Sequence, residues 1–468
     1  MRGSGTAADP YIIEDVADLQ NMQNDLSAIY VLGNDIDASV TSTWHAGAGF
    51  VPVGDAMNLF EGSLDGAGHT IRNLYINRPA TDDVGLFGPA DTTAVIKNII
   101  FSGGAVVGRD NVGLLAGVNY SSTDIDNVSA VNCAVSGRVD TGGLIGRHLA
   151  ATSLINCSFT GTVTGVADSY DQGSLCGYLL SGASLTDSWA RATVSGGLSA
   201  VWGVVGGLVG QGNDNNTATR CFFGGTVNGS NDYVAGLFGA AGDNLTLTHC
   251  YVEPGSVITG SGDYVAGLVA GNGINGTFTD SYNFAQVNGV NYVGGIGGYL
   301  SLDFVRCFNA GKITGSGDDV GGLAGYKDND TTDCYNSGEV SGADFVAGLY
   351  GEQTGVITRS YSCGKVTGTG ANVGGLVANS TGSSSASFWD TEVSGQSTSA
   401  EGTGMTTVQM KAPYQYLLDG WDLEAIWGLT PNCNQGYPCL REIQGGCIFL
   451  NSLLVNNRIF NIDVRAAR

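Results

Sequence analysis

Short runs of alternating apolar and polar residues recur along the chain, and Gly, Asn and Asp separate them. A period of two predicts β-strands, and these separating residues are typical of tight turns. Residues 15–26 depart from this pattern, because Val16, Leu19 and Met22 are spaced as on a helix. A short helix there would cap the open end of a β-structure. The pattern therefore predicts an all-β chain with a short N-terminal capping helix.

One phrase recurs eleven times: a small or apolar residue, Gly, Leu or Ile, a variable residue, and Gly or Ala. We call its Leu or Ile the anchor, and successive anchors lie 26 to 33 residues apart. The anchors are Leu86, Leu114, Leu144, Leu175, Leu208, Leu237, Leu268, Ile296, Leu323, Leu349 and Leu376. A propeller blade needs roughly 40–50 residues. The spacing predicts instead a parallel β-helix, or β-solenoid, with one coil per unit and equivalent residues stacked in columns.

A second phrase lies between the anchors and begins with Cys or Ser followed by an aromatic residue. The Cys/Ser position is filled by Cys157, Ser188, Cys221, Cys250, Ser281, Cys307, Cys334 and Ser360. Exchange of Cys for Ser predicts small inward side chains and free thiols, since the Cβ atoms of stacked coils point in parallel. Cys433 and Cys439, outside the array, are better disulfide candidates.

These patterns divide the chain into four parts. Residues 1–80 form an N-terminal cap and irregular first coils, 81–395 the repeat array, 396–440 a closing segment and 441–468 a tail. The tail contains an apolar stretch at 447–455, which would either cap the far end or dock a neighbouring subunit. Docking would produce a homo-oligomer or a filament.

The formal net charge is −24, from 43 acidic and 19 basic residues. Nucleic acids and anionic membranes attract basic faces, so both are poor partners. No apolar run reaches the ~18 residues that a transmembrane helix needs. The start of the chain also lacks the apolar stretch of a secretory signal. A removed signal, another export route, or assembly into a virion inside a cell are the alternatives.

Acidic residues precede most anchors, and aromatic residues follow several of them. The acids are Asp83, Asp110, Asp140, Asp171, Asp232, Asp263, Asp319 and Asp344. Turn chemistry explains such a regular series, with ligand binding and catalysis as alternatives. The aromatic residues are Tyr233, Tyr264, Tyr292 and Phe345. Outward rings beside carboxylates would suit sugars, whereas inward rings would close a corner of the core.

The candidate ligand-binding residues are therefore Asp232, Tyr233, Asp263, Tyr264, Tyr292, Asp319 and Asp344. The four histidines stand singly, without the spacing of a metal site, and no motif indicates a cofactor. Loops 212–216 and 328–330 carry oxygen ligands that Ca²⁺ prefers, but neither contains a complete ligand set. No residue is assigned a catalytic role.

Over roughly residues 4–440 the chain resembles the GLUG-repeat proteins, a family of bacterial surface and secreted proteins named after the Gly-Leu-x-Gly phrase. The resemblance also includes the opening segment 5–11, the Leu64-Asp65-Gly66 segment, and the closing segments 388–391, 420–427 and 437–440. It implies an extracellular β-solenoid, found in adhesins, as a non-catalytic region of larger surface proteins, or in phage tails and fibres. It names no catalytic residues.

We therefore expect a non-enzymatic, extracellular solenoid of the adhesion type, located on a cell or virion surface. Its partners would be a cell-surface glycan or protein, contacted along one lateral face, or neighbouring subunits of a virion or filament. A structural, self-assembling spacer and a polysaccharide depolymerase are the alternatives.

Overall fold

The structure, a computed structural model, describes residues 1–197, 203–431 and 433–441, without the side chain of Asn272. Within these ranges, fifty strands pair in parallel into one continuous sheet. The sheet winds into a β-solenoid in which each repeat is one coil and pairs with the coils before and after it. The predicted solenoid is confirmed. The docking or capping role was predicted for the tail at 441–468, and residues 442–468 of this tail lie outside the described residues.

The strands lie in five columns, and within a column each strand pairs with its counterparts in the neighbouring coils. The column that follows the anchors contains Phe87–Ala90, Ala116–Asn119, Ile145–His148, Cys176–Leu179, Val209–Gly212, Phe238–Ala240, Val269–Thr279, Gly297–Val305, Ala324–Asp328, Tyr350–Gln353 and Val377–Ser380. The next contains Tyr11–Ile13, Ile29–Leu32, Ser63–Asp65, Val95–Ser102, Ile125–Gly142, Ser153–Ile155, Ser184–Thr186, Thr217–Thr219, Thr246–Thr248, Thr331–Thr332, Val356–Thr358 and Ser383–Ser385.

The third column contains Ile36–Asp37, Thr70–Arg72, Ser158–Gly173, Trp189–Gly196, Phe222–Gly229, Tyr251–Val252, Tyr282–Asn283, Phe308–Asn309, Tyr335–Asn336, Tyr361–Ser362, Phe388–Asp390 and Thr403–Met405. The fourth contains Tyr75–Asn77, Ala105–Val107, Val257–Gly260, Gln286–Gly289, Ile313–Gly315, Val340–Gly342 and Val366–Gly368. The fifth, directly before the anchors, contains Asp110–Val112, Val205–Gly206, Val234–Ala235, Val265–Ala266, Val293–Gly294, Val320–Gly321, Val346–Ala347 and Val373–Gly374. The longest strands bend through several columns.

Helices lie only at the two ends of the described chain. The predicted N-terminal helix is present as Val16–Asn21, continued by a 3₁₀ turn at Met22–Asn24. The side chain of Asp15 caps it by accepting a hydrogen bond from the Asp18 amide. The remaining helical segments are Ser39–Gly47, Thr391–Ser394, Thr407–Met410, Pro413–Leu418 and Asn434–Gly436. Trp427–Gly428 and Cys439–Leu440 pair antiparallel in the closing segment.

The anchors form the core. All eleven are fully buried, and each contributes about 1.5–3 kcal/mol of transfer free energy. The eight free cysteines of the described chain are also buried, which confirms the prediction of inward thiols. Burial raises the pKa of the Cys157 thiol to about 12, so it stays protonated at neutral pH. Cys433 and Cys439 form the disulfide that the sequence favoured.

Seven aromatic rings stack on successive coils in the third column. They are Trp189, Phe222, Tyr251, Tyr282, Phe308, Tyr335 and Tyr361, with centroids 4.9 to 5.5 Å apart. The closing segment packs over the last of them, and the indole of Trp427 lies 6.1 Å from Tyr335 and 5.9 Å from Tyr361. The segment therefore covers the C-terminal part of this stack.

A charged column runs beside the aromatic stack. It contains, in order, Asp187, Arg220, His249, Asp280, Arg306, Asp333 and Arg359, all with left-handed backbone. Asp187 accepts two hydrogen bonds from Arg220, and Asp280 accepts two from Arg306. Asp333 and Arg359 repeat the arrangement. Paired charges on neighbouring coils favour one register of the coils over the others.

Candidate binding face of the solenoid

One column of side chains sits at the turn that leads into the fifth strand column. Its members are Asp83, Asn111, Asp140, Asp171, Tyr233, Tyr264, Tyr292, Asp319 and Phe345, and all have φ between 47° and 61°. We call them the turn column. Asp and Asn adopt this left-handed conformation at little cost, whereas Tyr and Phe lose roughly 1–2 kcal/mol per residue. The aromatic members are therefore conformationally costly at a position that Asp or Asn fills elsewhere.

A second column lies next to the turn column, on the strands that follow the anchors. Strand register aligns Arg147, Tyr178, Gln211, Ala240, Gly271, Tyr299, Tyr326, Glu352 and Asn379. We call them the strand column. Gly271 leaves room for a neighbouring ring, since a Cβ atom there would lie 2.8 Å from the ring of Tyr233. The two columns together form one lateral face, which we call the binding face.

The three predicted tyrosines are brought together at the centre of this face. The ring centroids of Tyr233 and Tyr264 are 4.8 Å apart, and those of Tyr264 and Tyr292 are 5.1 Å apart. Tyr299 packs edge-on against both Tyr264 and Tyr292, and it stacks on Tyr326 at 4.3 Å. These five rings form one continuous aromatic surface.

The rings contact the core and also remain accessible. On the inner side, Tyr233 and Tyr264 pack against Ala235, Ala266 and Ala270. On the outer side, the turn-column tyrosines are half-buried and Tyr299 is 37% exposed. The sequence left two alternatives, rings that face outward and rings that close a corner of the core. Both descriptions apply, one to each side of the same rings.

The predicted aspartates do not share one column. Asp232, Asp263 and Asp344 lie one residue before the turn column, together with Asn291 and Asp318. Oδ1 of Asp232 accepts from the Asp263 amide at 2.8 Å, and Oδ1 of Asp263 accepts from the Asn291 amide at 3.2 Å. Oδ1 of Asp344 accepts from the amide of Asn372, one position further along the next coil, at 2.7 Å. Each of these carboxylates therefore satisfies a backbone donor at a turn, which is the turn chemistry favoured by the sequence.

Asp319 differs from these turn-forming aspartates. It follows Tyr292 in the turn column, and its Oδ1 atom is hidden from solvent without a hydrogen-bond partner. Burial, together with repulsion from Glu352, Asp318 and Asp344, raises the pKa of Asp319 to about 7. This carboxyl therefore titrates near neutral pH beside the aromatic surface.

A polar cleft occupies the N-terminal half of the same face. Nε of Arg147 lies 2.9 Å from Oδ2 of Asp140, and its guanidinium lies over the ring of Tyr178. Burial raises the pKa of Asp140 to about 6 and that of Asp171 well above its ordinary value, and the two carboxyls repel each other. One proton shared by this pair relieves that repulsion.

Sequence reasoning missed the strand column, including Tyr299, Tyr326 and Glu352. A signal was present, because each of these residues directly follows the last Gly of its anchor phrase. For the suggested Ca²⁺ loops, no group of three or more His, Cys, Asp or Glu side chains within the described ranges is arranged to hold a metal ion. Asp328 already accepts hydrogen bonds from Ser301 and Tyr326. Among the helices described above, none has the length and hydropathy to span a membrane.

Comparison with known proteins gives partial matches. Residues 137–164 match the family model of the GLUG motif. Over 152 residues, 31% of the chain, it is 45% identical to halomucin of Haloquadratum walsbyi. It is 32% identical over 181 residues, 31% of the chain, to a protein of Evansella cellulosilytica assigned as a Gly-rich membrane protein. These matches span only 2% and 21% of the relatives' own lengths.

Among solved structures, the chain is similar to a Bacteroides ovatus protein assigned as an immunoglobulin A1 protease. The alignment covers 94% of both chains at 15% identity, with a TM-score of 0.30. The motif match, the repeat and the coil-by-coil register agree with one another. The chain is a β-solenoid that carries the GLUG motif at residues 137–164.

Proposed function

We propose that this solenoid acts outside the cell as a surface-binding module, and that its binding face contacts a glycan. The contact residues are Tyr233, Tyr264 and Tyr292, with Tyr299 and Tyr326 beside them. Aromatic rings provide apolar contact area to sugars, while nearby carboxylates accept hydrogen bonds from hydroxyl groups. Asp232, Asp263 and Asp344 hold the turns and present their remaining lone pairs at the edge of the surface.

The costly backbone of the tyrosines is the observation that carries this proposal. Tyr233, Tyr264 and Tyr292 have φ values of 61°, 58° and 52°. Asn111 and Asp140 occupy the same column without that cost. Strained residues of this kind are concentrated at functional sites, where the strain is offset elsewhere in the fold. Three consecutive coils with this cost favour a function for the rings.

The test is a glycan array probed with the full chain and with a triple variant, Tyr233→Asn, Tyr264→Asn and Tyr292→Asn. Asn retains the left-handed backbone, so the variant is expected to fold and to lose glycan binding. Tyr120→Asn, at a tyrosine 38% exposed and outside the face, is the matched control. Circular dichroism checks folding. Unchanged binding by the folded triple variant would exclude the tyrosines as the contact surface.

A structural spacer is the second candidate, and one finding favours it. The stretch that is 45% identical to halomucin covers only 2% of that protein, so related sequence occurs within a much longer chain. Size-exclusion chromatography and negative-stain microscopy test self-assembly into filaments. Release of reducing sugar from the polysaccharides bound on the array would instead indicate a depolymerase.

A further inference from the structure

Both columns of the binding face change from aromatic to acidic between neighbouring coils. In the turn column Asp319 follows Tyr292, and in the strand column Glu352 follows Tyr326. The surface formed by the five tyrosines therefore ends in two carboxyls, and Glu352 raises the pKa of Asp319. Phe345 follows Asp319 in the turn column, on the next coil. Asp318 and Asp344 add negative charge around this junction.

The negative charge at this junction has no cationic partner within the described chain. None of the ion pairs found there includes Asp318, Asp319, Asp344 or Glu352. The charged column differs, since its aspartates are paired with arginines of the next coil. An unpaired carboxylate that is partly removed from water is costly, and a cationic ligand would offset that cost.

The carboxyl of Asp319 also differs from that of Glu352 in its hydrogen bonds. Its Oδ1 atom receives no hydrogen bond, whereas Glu352 accepts one from Asn379 at 2.9 Å. The stack of turn-column tyrosines ends at Tyr292. On the next coil, Asp319 occupies the position where another ring would have continued the stack. Tyrosine faces carry partial negative charge and attract organic cations within about 6 Å of the ring centre.

We propose that this junction, formed by Tyr292, Tyr299, Tyr326, Asp319 and Glu352, binds an ammonium group carried by the glycan. The inference rests on the proposed function and specifies the ligand class of the same face. A neutral sugar would leave the carboxylate charge unpaired, and an acidic sugar would be repelled. An ammonium group satisfies both the aromatic surface and the carboxyls.

The probes are choline, which carries a permanent charge, and its uncharged carbon analogue 3,3-dimethyl-1-butanol. Binding of each to the full chain is measured by NMR titration at pH 8. Choline is expected to bind at least about fivefold more tightly, since cation–π and charge contacts act only on it. Asp319→Asn and Glu352→Gln are each expected to remove most of this difference. Glu61→Gln, an exposed position far from the face, is the control for net charge.

The choline titration tests the ammonium site directly. Equal affinity for the two probes, an equal effect of Glu61→Gln and Asp319→Asn, or no binding of either probe would overturn the inference. The glycan array reports separately on the proposed function. If neutral glycans bind the parent chain but not the tyrosine variant, and choline binds no more tightly than its carbon analogue, the glycan-binding face is upheld and the ammonium site is rejected. An array without any bound glycan, with choline bound as expected, would reject the glycan and retain the site.

Discussion

The charged column contains two ion pairs of the same geometry that differ in burial. Nε and Nη2 of Arg220 lie 2.6 and 2.7 Å from the oxygens of Asp187, and those of Arg306 lie 2.6 and 2.7 Å from the oxygens of Asp280. The side chains of the first pair are 40% and 54% exposed, and those of the second are 4% and 29% exposed. The perturbation is therefore Asp280→Asn, with Asp187→Asn as its matched control.

The expected costs differ because the solvent screens only the first pair. An exposed ion pair contributes about 0.2–1 kcal/mol to stability. Removing one partner of a fully buried pair costs about 3–5 kcal/mol, and partial exposure of Arg306 reduces this to about 2–3 kcal/mol. A difference of about 2 kcal/mol corresponds to roughly a 30-fold difference in the local opening equilibrium.

Hydrogen exchange followed by mass spectrometry measures this equilibrium coil by coil. Amides around Asp280→Asn should exchange much faster than in the parent chain, and those around Asp187→Asn only slightly faster. The hydrogen bonds from Arg220 hold the pKa of Asp187 below its ordinary value. The stability that Asp187 contributes is therefore complete above pH ~3.9, the pKa of Asp in the unfolded chain. This stability disappears as the pH falls through the lower pKa of Asp187 in the folded chain. Equal acceleration in the two variants would refute the argument from burial.

Three further predictions follow the same physical arguments. Leu323→Ala, at a fully buried anchor, should cost about 2–5 kcal/mol in urea denaturation, whereas Leu417→Ala, 60% exposed, should cost well under 1 kcal/mol; similar midpoints would contradict the assigned core. The carboxyl of Asp319 lies near Glu352, Asp318 and Asp344, and its pKa is about 7. Because it gains its negative charge between pH 6 and pH 8, the affinity for choline should rise over this range. A choline affinity of the parent chain that does not change with pH in the NMR titration would count against this prediction. The affinity of Asp319→Asn should not change over the same pH range. Reduction of the Cys433–Cys439 disulfide, which joins residues six apart, should weaken the closing segment by about 2 kcal/mol, and unchanged amide exchange there would contradict it.

The solenoid was predictable because its strongest constraints are local and repeated. Leu86 and every later anchor must be buried, and Gly beside them permits close approach of the coils, so period and composition alone determine the architecture. Exchange of Cys157 for Ser188 in the next coil likewise identified an inward position that tolerates only small side chains. These features depend on one coil and its immediate neighbours.

The binding face was only partly predictable, because it depends on register. Asp232 and Asp319 both precede an anchor, yet they occupy neighbouring columns, because Asp232 lies five residues before Leu237 and Asp319 only four residues before Leu323. Tyr299 of the strand column packs against Tyr264 of the turn column, which belongs to the neighbouring coil. The spacing of these residues in the sequence alone did not reveal this contact. The packing of the closing segment over Tyr335 could not be predicted either, because Trp427, which contacts Tyr335, belongs to a segment without the repeat.

The alternation of sign along the charged column limits how the array can change in length. Deleting the single coil that carries Arg306 would place Asp280 directly beside Asp333, and like charges opposite each other destabilise paired strands. Removing two neighbouring coils, those of Arg306 and Asp333, would instead bring Asp280 next to Arg359 and restore an attractive pair. Duplication and loss of coils in this region of the molecule are therefore expected to be tolerated in even numbers and penalised in odd ones.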